Sequence, residues 1–159
     1  MGCKLVPLDE AAGPITTETY NFTDFTGIEI GHAFELEVTA SANYSVAITA
    51  REKTLDHITV SRDGNLLKID LDSWFLVWHT TPVVKITMPV LSRLDMSGAS
   101  HGDARGFRSA GDFDLELSGA STLDFDMGTG AFQAHITGAR RLTGFLDASS
   151  YAFELSGAR

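Results

Sequence analysis

The chain has a single cysteine, Cys3, in 159 residues, so it can form no internal disulfide and no cysteine-rich zinc site. Stability must come from burial and backbone pairing. Basic residues are also scarce. Lysine and arginine total 12 against 21 acidic residues, a formal charge of -9, and an unspecific contact with nucleic acid would work against phosphate repulsion. No nucleic-acid partner is expected. No apolar run approaches the ~18 residues of a membrane helix, and no charged and apolar leader precedes Cys3.

Familiar chemical signatures are missing too. The sequence holds no Gly-x-Ser-x-Gly elbow, phosphate loop or dinucleotide fingerprint, and Gly128-Thr129-Gly130 reads as a turn. His32, His57, His79, His101 and His135 show no His-Glu-x-x-His spacing and no cysteine partner. No catalytic residue, cofactor or metal site is therefore assigned, and the chain is read as a non-enzyme. The rival reading is a carbohydrate-active β-helix enzyme using carboxylates among Asp103, Asp112, Asp114, Asp124 and Asp126. Those acids flank apolar strand positions and fit the polar half of an alternating pattern.

Residues 1–26 read as an N-terminal tether, with Pro7, Gly13, Pro14 and a polar Thr16-Thr17-Glu18-Thr19 run. From Gly27 the chain alternates: Ile28-Glu29-Ile30, Phe34-Glu35-Leu36-Glu37-Val38 and Tyr44-Ser45-Val46-Ala47-Ile48 read as half-buried strands. Asp63-Gly64, between two further strand-like runs, predicts an antiparallel hairpin. Sustained helical periodicity is absent.

A tetrapeptide then recurs: Ser97-Gly98-Ala99-Ser100, Ser118-Gly119-Ala120-Ser121, Thr137-Gly138-Ala139-Arg140 and Ser156-Gly157-Ala158-Arg159. The starts are 21, 19 and 19 residues apart, which is a solenoid period. Aligning the glycines puts Leu94, Leu115, Ala134 and Phe153 in one apolar column and Met96, Leu117, Ile136 and Leu155 in a second. Asp95, Glu116, His135 and Glu154 fall between them, on the outward side. The fold expected is all-β and single-domain over 27–159. Its C-terminal half is a parallel β-helix or solenoid-like stack of ~20-residue rungs, with repeats at about 92–112, 113–131, 132–150 and 151–159. Its N-terminal half contains the antiparallel hairpin. Each glycine marks a corner, and the Ser/Thr column is read as a hydroxyl ladder rather than as a row of nucleophiles.

Trp74-Phe75-Leu76-Val77-Trp78-His79 holds both tryptophans. The run reads either as a core strand or as a contact segment: alternation cannot bury all of it on one face, so the second face either packs under a loop or forms an exposed apolar patch, with Trp74, Phe75, Leu76, Trp78 and His79 as the candidate contact residues. The last rung should also leave a strand edge open. That edge is expected either to pair with a second copy, giving a homo-oligomer, or to be covered by a returning segment such as residues 15–25.

The Phe25-Thr26-Gly27-Ile28 start, the Ile86-Thr87-Met88-Pro89-Val90-Leu91 segment and the repeated Leu-x-Leu-Ser-Gly-Ala-Ser pattern together resemble the putative auto-transporter adhesin, head GIN domain family. The resemblance implies a β-helical fold and a bacterial envelope location, often as a lipoprotein. Gly2-Cys3 fits that implication, with Cys3 as the lipidated residue and the only membrane attachment. The function expected is a binding, adhesion or structural module whose ligand is a surface glycan or protein, the remaining rival being end-to-end self-assembly.

Overall fold

The computed structural model describes residues 13–72, 80–138 and 141–157. Its elements are β1 (Ile15–Tyr20), β2 (Gly27–Ile30), β3 (Glu35–Ala40), β4 (Ser45–Arg51), a one-turn helix α1 (Glu52–Leu55), β5 (Ile58–Asp63) and β6 (Leu66–Leu71). They continue as β7 (Val83–Met88), β8 (Arg93–Met96), β9 (His101–Arg108), β10 (Phe113–Leu117), β11 (Thr122–Thr137) and β12 (Arg141–Ser156). The expected all-β class holds. All twelve strands join one nearly closed, barrel-like sheet, in the order β1-β4-β7-β3-β9-β11-β10-β8-β2-β6-β5, with β12 beside β11.

Two arms meet in β11. Its first half pairs with β9 and its second half with β10, both parallel. On the β10 arm, Leu67, Ile28, Leu94, Leu115, Ala134 and Phe153 follow one another across adjacent strands. Ile69, Ile30, Met96, Leu117, Ile136 and Leu155 form the neighbouring column. Both columns up to β11 are buried in the same apolar cluster as Leu36, Val38, Val84 and Ile86 of the other arm. Each fully buried Leu or Ile contributes about 1.5–3 kcal/mol, and no rung collects enough of them alone to offset its ordering entropy. The sheet must curl so that both arms share one core.

Four details differ from the sequence reading. Residues 15–20, expected in the tether, form β1, antiparallel to β4 from Ile15↔Arg51 to Tyr20↔Val46. The Thr-rich run suits a strand because β-branched side chains fit a pleated surface, and the Thr17 and Thr49 hydroxyls meet at 2.7 Å. Phe25 is wholly buried, so the folded part starts well before Gly27. The hairpin turn is Gly64-Asn65 rather than Asp63-Gly64: Asp63 pairs with Leu66, and Gly64, with φ +60°, takes the first loop position of a II′-type turn. Finally, Phe153 and Leu155 keep the register of their columns but lie 51% and 73% exposed, because no further strand covers them among the described residues.

The repeat also reaches further upstream than the Ser-Gly-Ala text. Pairing of β2 with β8 aligns Ile28-Glu29-Ile30 with Leu94-Asp95-Met96, which sets Gly31-His32-Ala33 against Ser97-Gly98-Ala99. The Ala99 N–H donates to His32 O, and the Ala120 N–H donates to Gly98 O, each at 2.7 Å. Gly98, Gly119, Gly138 and Gly157 have φ of +78°, +73°, +100° and +122°, and His32 joins them at +67°. A Cβ on Gly98 would run into His32 O, and one on Gly119 into Gly98 O. Ser97, Ser118, Thr137 and Ser156 precede these glycines; Ala139 and Ala158 lie outside the described residues. Inside the corner, Ser100 and Ser121 are buried and bond locally, Ser100 Oγ to His32 O and Ser97 O, and Ser121 Oγ to Ser118 O.

Candidate functional site

The outward positions of β5, β6, β2 and β8 line up as Ser61, Lys68, Glu29 and Asp95, each opposite the next. The row continues through Glu116 and His135 to Glu154. Where it passes the His32 corner, the surface opens into a groove of about 620 Å³ lined by these first four residues with Gly31, His32, Thr59, Ile69, Asp70 and Ser97. Gly31 creates the notch: a Cβ there would stand 3.2 Å from an Asp70 carboxylate oxygen and 3.4 Å from Ser97 Oγ.

His32 is the odd member of its column. Every other corner in the column is glycine, yet here a side chain is held on left-handed backbone, a conformation that costs a non-glycine residue about 1–2 kcal/mol. Its Nδ1 approaches Asp70 Oδ1 to 2.8 Å without forming a hydrogen bond, and this buried nitrogen has no hydrogen-bond partner.

The carboxylates at the groove feel one another. Burial pushes the Asp95 carboxyl up to about 6, Glu116 and Glu29 push the same way, and Arg93 opposes them. Arg93 reaches Glu116 at 3.3 Å, Asp114 at 3.4 Å and Asp95 at 3.9 Å, so one guanidinium serves three acids. The groove thus presents hydroxyls, one ammonium and several carboxylates in a row at sheet spacing. Among the described residues no cluster of three or more His, Cys, Asp or Glu stands close enough to hold a metal ion.

The acids weighed for a lyase or hydrolase do not converge on this groove. Asp103 is bidentate to Arg105 at 2.6 and 2.7 Å, and Asp126 meets Arg108 at 2.6 Å. Asp114 belongs to the Arg93 cluster, Asp112 accepts the Ala131 N–H at 3.1 Å, and Asp124 stands 4.0 Å from His101. Cys3 and the segment Trp74 to His79 lie outside the described residues. Metal-ligand spacing among the histidines leaves His32 unmarked in the sequence. The usable signal was the alignment of Gly31-His32-Ala33 with a Ser-Gly-Ala corner.

The family model described as putative auto-transporter adhesin, head GIN domain, matches residues 24–158. No curated protein matches the chain. Among solved structures, a putative lipid binding protein from Parabacteroides distasonis superposes with a TM-score of 0.79 at 13% identity, over 90% of this chain and 63% of that one. This chain therefore spans less than two thirds of that structure. A putative adhesin from Bacteroides fragilis follows at TM-score 0.59 and 12% identity, over 91% and 97% of the two chains. A putative adhesin from Parabacteroides distasonis gives 0.55 at 12%, over 92% and 98%. At such identities the likeness concerns the fold.

Proposed function

We propose, from the premise that this chain belongs to the putative auto-transporter adhesin, head GIN domain family, that it is a non-enzymatic binding module of the bacterial cell surface. The single observation that carries this reading is the groove beside the strained His32 corner. The parallel strands of the repeats, at about 92–159, serve as a rigid β-helical scaffold of ~20-residue rungs, and the groove beside them is the contact surface. Its occupant is a surface glycan. Sugars offer rows of adjacent hydroxyls, and carboxylates such as Glu29 and Asp70 accept from them while Lys68 donates. Trp74, Phe75, Leu76, Trp78 and His79 form a second contact surface in this reading, and a lipid on Cys3 holds the module at the envelope.

A glycan array probed with the soluble chain tests the proposal. Binding is expected, and the double change Lys68→Ala with Asp70→Asn should weaken it about 10- to 100-fold, as the loss of one or two charge-assisted hydrogen bonds implies. Retained affinity in that variant, or an empty array, would reject the groove. The anchor is tested separately: a fatty-acid analogue should label the natural precursor and not its Cys3→Ser form.

A further inference from the structure

Asp95 has like charges on both sides. Across the parallel ladders of β8 it stands directly opposite Glu29 of β2 and Glu116 of β10, so three carboxylates follow one another at the ~4.8 Å spacing of neighbouring strands. Its side chain is the more sheltered, 22% exposed against 50% for Glu116. Asp95 and Glu29 line the groove, and Glu116 stands just outside it.

The surrounding charges do not cancel this crowding. Arg93, on the same strand as Asp95, is 3.9 Å from it and divides itself between Glu116 at 3.3 Å and Asp114 at 3.4 Å. Lys68 is the next cation along the row, but it lies beyond Glu29 and 3.7 Å from Asp63. On the other side His135 lies beyond Glu116 and meets Glu154 at 2.9 Å. His32 and Asp70 face each other at the corner of the groove. Burial, then Glu116 and Glu29, with a smaller push from Asp114, therefore hold the Asp95 carboxyl up at about 6 against the pull of Arg93.

We infer that the groove is a proton-linked binding site, in which Asp95 takes up a proton from solvent as an uncharged oligosaccharide covers it, so that the sugar binds more tightly in acid. The inference rests on the glycan reading of the groove given above. Covering the groove removes water from a carboxylate already set between two others, which disfavours its charged form further. Protonation relieves this in two ways: it ends the repulsion, and the new O–H donates to a neighbouring carboxylate or to a sugar oxygen. The covered carboxyl thus holds its proton more tightly than the free one. Affinity is highest below about pH 6, falls as pH rises through the value of the free carboxyl, and levels off once the covered carboxyl has also lost its proton.

Calorimetric titration of the full chain with uncharged oligosaccharides, at about pH 5.5 and about pH 8, tests the link. Affinity about 3- to 10-fold higher at the lower pH is expected for one linked proton, with net proton uptake when buffers of different ionisation heat are compared. Asp95→Asn should abolish the pH step. Glu116→Gln should move it to lower pH and Arg93→Gln to higher pH, and these two more exposed positions hold the inference to account even if Asp95→Asn does not fold. Equal affinity at the two pH values, tighter binding at the higher one, or a step that survives in Asp95→Asn would overturn the proton link and leave the groove as the binding surface. Failure of every uncharged oligosaccharide to bind at either pH would reject the groove reading, and the link with it.

Discussion

His32 is the one residue that departs from glycine in a repeated left-handed corner. The backbone at this position is left-handed in every rung that can be compared, and glycine takes it at no steric cost in the later ones. In the first rung a histidine accepts that conformation, and its ring reaches Asp70 across the groove. The period of the repeat was legible because Gly98, Gly119, Gly138 and Gly157 recur in the text, whereas the rung that carries the candidate site was hidden by the substitution that makes it distinctive. Gly119 carries the structural consequence. Gly119→Val places a β-branched residue at φ +73° with its Cβ against Gly98 O, and should cost about 3 kcal/mol or more in a denaturant titration. An unchanged midpoint would contradict the corner assignment.

Asp95 gives the pH counterpart. Its carboxyl keeps a proton up to about 6 in the folded chain, above its ordinary value of 3.8. Between those values the folded state binds more protons than the unfolded one, so this group's contribution is complete below about pH 4 and is lost as pH rises through about 6. Asp95→Asn removes the titration and keeps a neutral group in place. The melting temperature of the variant minus that of the parent should therefore grow from pH 4 to pH 7. A difference that stays flat or shrinks would mean the carboxyl is not held up.

Strands within the repeats were readable because apolar and polar residues alternate with period two and the columns stay aligned from rung to rung. β1 was not, because Ile15–Tyr20 is exposed along nearly its whole length and so shows no apolar alternation. Its place is set by what it covers, the free edge of β4, a tertiary demand that leaves little trace in the local text. The hairpin erred by one residue for a related reason, since Asp63-Gly64 and Gly64-Asn65 both offer acceptable turn chemistry and only the pairing of β5 with β6 separates them. Removing residues 1–20 should lower the melting temperature by several degrees relative to removing residues 1–12 alone, at about 2–4 °C per kcal/mol. Equal melting of the two truncations would show that β1 adds nothing to the sheet.

At the scale of the whole molecule, the same parallel register that stacks the repeats also carries the outward row from Ser61 to Glu154 across one face. A scaffold of this kind fixes polar groups at strand spacing on a stiff surface, so a ligand meets them preorganised. The groove lies where β2, the first rung, meets the β5–β6 hairpin, a junction invisible to a search for repeats because it joins repeated to unrepeated sequence. Backbone amide shifts followed by NMR, while a glycan selected from the array is titrated in, test this most directly. The largest changes are expected at Glu29, Gly31, His32, Lys68, Asp70 and Ser97. Changes confined to other faces of the sheet, with these amides unmoved, would contradict it.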